Sequence, residues 1–228
     1  MNHIVLGYDG SDFSVQALGW ALDEAELRRS PLTVCHAWQW PYGEADHEAK
    51  AYLRRAAEHV LWHGAECARA TSSGVHVETD LDEGPAAVRL VELSAGAELV
   101  VVGSRGLSAL PGAVVGSVAG YVAAHAACPV VVVRGPRPAA ARPGPIVVAG
   151  DDPGPGMLEF AFAEAALRQL PLAAPAADLA GWAARHPRVR VLPGAAGEPA
   201  SLLVAGRERT AGPLLQHASC PVAVVSER

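Results

Sequence analysis

Two stretches of this 228-residue chain carry residue types at spacings that could do chemistry. The first is GSRGLSALPGAVVGS, from Gly103 to Ser117, in which two residues separate Gly103 from Gly106 and nine separate Gly106 from the Gly116-Ser117 pair. Glycines let backbone N–H groups come close to oxygens. A helix starting at Gly116 would turn its unbonded N–H groups, and the positive end of its dipole, toward an anion. The second is Asp9, in Tyr8-Asp9-Gly10-Ser11. A carboxylate there would repel a phosphate, but it could accept from ribose hydroxyls or a base, or attract Mg²⁺. Asp-Gly is equally suited to an Asx-type turn, and that plainer reading stands beside the ligand one.

A glycine-rich loop alone is a weak signal, because glycine also serves turns and caps. No G-x-x-x-x-G-K-[ST] occurs, the one lysine is the distant Lys50, and no G-x-G-x-x-G follows the first apolar run. The elements around the loop carry more weight. Upstream, Glu98–Val102 (ELVVV) reads as a buried strand; downstream, Val118–Ala127 is small and apolar and suits a helix packed on a sheet. A strand, a glycine loop and a helix in that order make a phosphate cradle.

The chain before them alternates β and α. Strands are expected at Ile4–Tyr8, Leu32–Trp38, Val75–Leu81 and Val130–Val133, with helices over Asp12–Arg29, Glu44–Thr71 and from Gly84-Pro85 to Ser94. Alternation on this scale implies an α/β fold, an open parallel sheet covered on both faces with right-handed crossovers.

Residues 135–145, GPRPAAARPGP, read as a Pro/Ala/Gly linker and a domain boundary. Beyond it the chain repeats itself. IVVAGDD from 146 echoes IVLGYDG from 4, VAGRER from 204 echoes VVGSRG from 101, and HASCPVAVV from 217 echoes HAACPVVVV from 125. The offset falls from 142 to 103 to 92, so the second copy loses 39 residues before its fourth strand and 11 after it. The first loss should remove or shorten the second helix and the third crossover. The second falls on the glycine loop: Gly206 stays, but Arg209 replaces the second glycine and no nine-residue spacer follows. The expected organisation is a nucleotide-binding α/β domain at 1–135, a linker at 136–145, and a truncated, degenerate repeat without a nucleotide site at 146–228.

The spacing G-x2-G-x9-G-[ST] after a fourth strand resembles the ATP-binding signature of the universal stress protein family. IVLGYDGSDFSVQALGWALDEA (4–25) is similar to that family's first strand, Asp turn and first helix, and HAACPVVVVR (125–134) to its closing helix end and fifth strand. The likeness covers 1–134 in full and the remainder more weakly. It implies a doubly wound five-stranded parallel sheet ordered 3-2-1-4-5, with a second, shortened copy. In that order strands one and four straddle the crevice where open α/β sheets bind ligands, so Asp9 and Gly103 would face each other. It also implies ATP or ADP, with Mg²⁺, as the ligand. Backbone N–H groups around Gly106, Gly116, Ser117 and Val118 would hold phosphates, helped by the Ser117 hydroxyl, and Ser104 to Ala109 would wrap the ribose and phosphates. Arg105 could screen phosphate charge or could be a solvated loop arginine. The resemblance places Ala37, after His36, against adenine through its backbone, and Gly7 at the pocket floor. One departure is that Leu107–Val115 contains Pro111 and no basic residue, so binding would lean on backbone N–H groups.

The resemblance therefore implies a regulatory or sensor module in a stress response, with the two repeats pairing through their fifth strands in imitation of a dimer, and a homodimer as a further option. A slow ATPase is compatible, but no base, water-positioning residue or arginine finger stands out, so no catalytic residue is assigned. Two alternatives remain: an adenine-nucleotide α/β enzyme of adenylation or phosphoryl transfer, and a nucleotide-free dimerisation scaffold.

Composition bounds the rest. Net charge is −6 with both signs mixed, which argues against a nucleic-acid footprint. Cys35, Cys67, Cys128 and Cys220 are scattered without a C-x-x-C pair and read as free thiols of a reducing cytoplasm. No signal peptide is expected, since a strand begins at Ile4. The uncharged run between Arg105 and Arg134 is broken by Pro111, Gly112, Gly116, Gly120, His125 and Pro129, and reads as loop, helix and strand rather than a membrane span. His59, His63 and Cys67 share a helix face but lack the zinc-protease glutamate, and no metal site is assigned to them. His125 and His217 recur at a helix end, where an imidazole can cap carbonyls.

Overall fold

The computed structural model describes residues 3–40, 43, 46–106, 115–134, 143–175, 179–193, 200–208 and 211–227. The chain divides by its contacts into two compact units, Met1–Cys128 and Pro129–Arg228.

Unit one contains β1 (Ile4–Gly7), α1 (Asp12–Arg28), β2 (Leu32–Trp38), α2 (His47–Thr71), β3 (Val77–Glu83), α3 (Ala86–Ser94), β4 (Leu99–Gly103) and α4 (Ser117–His125). Its strands run in the order β3-β2-β1-β4, all parallel, with Val5 opposite both Thr33 and Val100. The apolar runs Ile4–Leu6 and Leu99–Val101 are wholly buried, as strands covered on both faces must be. Helices α1 and α2 pack against each other, as do α3 and α4.

Local signals set the ends. Ser11 caps α1, its side chain accepting from the Ser14 N–H, and Arg29 closes that helix in the left-handed region at φ 55°. Helix α2 begins at His47, later than the expected Glu44, because the Asp46 carboxylate accepts from Glu48 N and caps it there. Strand β3 sits two residues later than expected, since its parallel register with β2 runs from Leu32↔Val77 to Trp38↔Glu83.

Unit two contains β5 (Val130–Val133), β6 (Ile146–Val148), α5 (Pro155–Arg168), β7 (Leu172–Ala174), α6 (Ala180–Arg185), β8 (Val191–Pro193), β9 (Leu202–Gly206), α7 (Ala211–His217) and β10 (Val222–Val225). The order β8-β7-β6-β9-β10 is the 3-2-1-4-5 arrangement, so the shortened copy keeps all five strands. What shrinks is the crossovers: the six-residue α6 stands where α2 has 25 residues, and no helix lies between β8 and β9 among the described residues. Strand β5 pairs antiparallel with β10, Val132 opposite Val222 and Val130 opposite Val224.

The repeat is also visible in the helices. Glu24 and Glu164 are both fully buried and bonded to Arg28 and Arg168, one turn on. Both helices then end in a left-handed residue, Arg29 at φ 55° and Gln169 at φ 56°.

At the carboxyl ends of the strands the two units differ. In unit one a Cβ on Gly103 would lie 2.7 Å from the Phe13 carbonyl oxygen, so the start of α1 rests on the end of β4. In unit two the counterpart, Gly206, meets Glu227. A Cβ on Gly206 would collide with that carboxylate, and one on Gly154, the N-cap of α5, with the Glu227 carbonyl. Glu227 is wedged between β9 and α5.

Candidate functional site

The expected crevice is present within unit one. A cavity of about 380 Å³ opens at the carboxyl ends of β1, β2 and β4 and at the start of α4. Gly7, Asp9, Ala37, Gly103, Arg105, Gly106, Gly116, Ser117 and Val118 all line it. Ser104 does not: it is buried, and its carbonyl accepts from the Gly116 N–H at 2.8 Å, which ties the two described ends of the glycine loop together. Residues 107–114, Pro111 among them, lie outside the described residues.

The turn after β1 supplies Asp9. Gly10 takes φ 81°, which few other residues could hold, and this swings the chain into α1. Asp9 Oδ1 accepts from Ser11 N at 3.0 Å and from Ser11 Oγ at 2.6 Å, so the Asx turn is real. Its other oxygen faces the loop: a Cβ on Gly106 would stand 2.5 Å from Oδ2. One carboxylate therefore both shapes the turn and borders the cavity, and Gly106 is the residue small enough to pass it.

The opposite wall is electropositive. Gly116 is the N-cap of α4 and makes no side-chain cap bond, so the N–H groups of the first turn face the cavity uncapped. Among the described lining residues Arg105 is the only lysine or arginine and Asp9 the only acid. The Arg105 guanidinium lies 4.9 Å from the centroid of the Phe13 ring. Its Nε is buried and makes no hydrogen bond to a described residue, an orphaned donor beside the helix start.

The sequence reading missed part of the lining, notably Tyr8, Cys35, His36 and Leu90. Tyr8 and His36 are next to residues already chosen and Cys35 lies two before Ala37, toward the carboxyl ends of β1 and β2; that position was the available signal. Leu90 comes from α3, and a Cβ on Gly7 would lie 2.9 Å from its methyl, so Gly7 is the floor on which α3 packs. Tyr8 carries its hydroxyl to His63 Nδ1, 3.1 Å away on α2. The His63 ring in turn lies 3.7 Å from Cys67 Sγ, and the described residues contain no cluster of three or more metal-ligating side chains. His125 Nδ1 donates to the Tyr121 carbonyl at 2.8 Å, the carbonyl-capping role expected of it.

The floor is stapled by charge. Asp80 on β3 receives Arg89 of α3 through two bonds, Nε to Oδ1 at 2.9 Å and Nη2 to Oδ2 at 2.6 Å, and accepts from Cys35 Sγ at 3.6 Å. The Arg89 guanidinium holds the Asp80 carboxyl below its ordinary range, while burial and the neighbouring Asp80 carboxylate push the Cys35 thiol up. Cys35 is thus a protonated wall residue and not a nucleophile. Because Asp80 titrates lower when folded, the pair stabilises the fold above the ordinary carboxylate pKa of about 3.9, and this contribution is lost as pH falls through the native value. Arg89→Ala is expected to cost about 1 kcal/mol in urea unfolding at pH 7. The gap to the wild type should close in the same measurement below pH ~3.

The model of the "Universal stress protein family" matches residues 1–134. Universal stress protein Rv2624c of Mycobacterium tuberculosis is 33% identical over 211 residues, covering 85% of this chain and 77% of that protein. Universal stress protein Rv2028c of the same organism is 35% identical over 173 residues, covering 74% and 62%. Among solved structures, a universal stress protein from Archaeoglobus fulgidus superposes over 99% of this chain and 96% of its own, with a TM-score of 0.74 at 17% identity, a likeness of fold. No described helix is long and apolar enough to cross a membrane.

Proposed function

Since this chain belongs to the universal stress protein family, we propose that it binds ATP or ADP in the unit-one cavity and acts as a regulatory or sensor module in a stress response. One observation carries the reading. The start of α4, without a side-chain cap, borders a cavity at the β1/β4 crevice that Arg105 also lines. That wall fits a chain of phosphates. N–H groups at Gly106, Ser117 and Val118 would hold the oxygens, with the Ser117 hydroxyl and Arg105 beside them; the Gly116 N–H, expected among them, is taken by the Ser104 carbonyl. Asp9 would take ribose hydroxyls or Mg²⁺, and the Ala37 backbone would border the base. Bound nucleotide would supply occupancy as a signal. No described lining residue is placed to drive hydrolysis, so turnover is expected to be slow.

In this reading 1–135 is the nucleotide domain, 136–145 the linker and 146–228 a repeat that binds none. The β5–β10 pairing supports a pseudo-dimer within one chain. The proposed setting is the cytoplasm, with no nucleic-acid or membrane partner.

Isothermal titration with ATP and with ADP is the test. About one site per chain is expected. Two equivalent sites would overturn the assignment of the second repeat, and rapid turnover with a small co-substrate would favour an enzyme. No binding under any salt condition would leave a scaffold.

A further inference from the structure

We propose that His63 and Cys67, one turn apart on α2, form a chelate for a zinc-class cation, with Tyr8 holding the imidazole from behind. Neither ligand lines the cavity, so the inference stands apart from the nucleotide reading.

The helix sets the spacing. Residues i and i+4 are neighbours on one helix face. Helix α2 is seated by its other face, where Leu61, Gly64, Ala65 and Ala68 are buried, while His63 is exposed and Cys67 half-buried. Cys67 Sγ lies 3.7 Å from His63 Nε2 and 3.9 Å from Nδ1. A tetrahedral zinc, with Zn–S of about 2.3 Å and Zn–N of about 2.0–2.1 Å, holds its sulfur and nitrogen about 3.6 Å apart. Sγ and Nε2 therefore already stand at the separation a shared cation requires. Thiolate and imidazole suit zinc, whereas Mg²⁺ and Ca²⁺ take oxygen donors. The thiol proton would leave as the cation binds.

What stands behind the imidazole completes the arrangement. Tyr8 Oη lies 3.1 Å from His63 Nδ1, and the Tyr8 ring rests on Gly64, where a Cβ would come within 2.7 Å of it. Burial first, then Cys67 and Asp9, push the Tyr8 hydroxyl up, so it stays a phenol. A phenol can accept from Nδ1–H, which leaves the Nε2 lone pair for the cation. Ligating histidines are commonly oriented in this way, by a hydrogen bond at the other ring nitrogen.

The neighbours do not compete. His59, one turn earlier, tilts its ring against Trp62, with centroids 5.8 Å apart. Among the described residues no group of three His, Cys, Asp or Glu side chains forms, so water would fill the remaining positions on this exposed face. Of the other thiols, burial pushes Cys35 and Cys220 up, and Cys128 is buried.

The test titrates the full chain, reduced and nucleotide-free, with Co²⁺ as a spectroscopic stand-in for zinc. About one equivalent is expected to raise a near-ultraviolet thiolate-to-cobalt charge-transfer band, which Zn²⁺ abolishes and excess Mg²⁺ does not. Cys67→Ala and His63→Ala should each lose the band. Zn²⁺ should raise the melting temperature of the wild type and leave that of Cys67→Ala unchanged. Cys67→Ser repeats the measurement should the alanine variant melt early. Tyr8→Phe, which keeps a ring on Gly64, should retain the band with cobalt bound about 10-fold more weakly. A wild type without the band, or a band that survives in folded Cys67→Ala or His63→Ala, overturns the site. Undiminished affinity in Tyr8→Phe overturns the positioning role of Tyr8.

Discussion

Gly116→Trp is expected to weaken ATP binding more than ~100-fold, to the limit of calorimetric detection, while the chain stays folded. The backbone at Gly116 is extended, φ −72° and ψ 154°, a conformation open to any residue. A Cβ there would meet no atom closer than 3.4 Å, the nearest being Arg105 Cα. The branch point is therefore tolerated. The indole beyond it has to go into or across a cavity of about 380 Å³, and it covers the N–H groups on which an anion would rest. Circular dichroism and a urea midpoint close to the wild type would show that the fold persists. Unimpaired binding in a folded Gly116→Trp chain would place the ligand elsewhere.

Gly103→Ala should do the reverse, harming the fold first. A single methyl at this position would lie 2.7 Å from the Phe13 carbonyl oxygen and 2.8 Å from its carbon. Those are backbone atoms at the start of α1, and α1 packs on both β1 and β4. Relief requires moving a helix against a sheet, so a loss of about 3 kcal/mol in urea unfolding at pH 7 is expected. Gly7→Ala makes a useful contrast. There the nearest obstacle is the tip of Leu90, which can turn aside, and the cost should be nearer 1 kcal/mol. Similar losses in the two variants would show that the seat of α1 on β4 is softer than these distances imply.

The strands of the first unit and the order in which they lie were legible because their signals are local and strong: continuous β-branched runs, each followed by glycine or an Asp turn. The Gly103–Ser117 spacing led to a crevice that the structure contains for the same reason. What the sequence concealed is three-dimensional. Nothing near Leu90 marks it as a cavity wall, since its role arises from α3 lying over Gly7. Arg105 was ambiguous as a letter and becomes informative only when its Nε is found buried without a partner. The Asx turn and the cavity were posed as rival roles for Asp9, yet the carboxylate has two oxygens, and each faces a different neighbour. The paired Glu24–Arg28 and Glu164–Arg168 sat in plain view within ALDEAELRR and AFAEAALRQ. They mark the repeat more sharply than the strands do, because a buried carboxylate needs its arginine while a buried valine can be exchanged for isoleucine.

The wedge formed by Glu227 bears on how any dose–response curve should look. In the proposed reading Glu227, packed against Gly206 and Gly154, leaves each molecule a single seat to fill, so saturation should follow a simple hyperbola with a Hill coefficient of about one. Steeper curves would have to originate between molecules, and diluting the protein at fixed ligand would make that steepness fade.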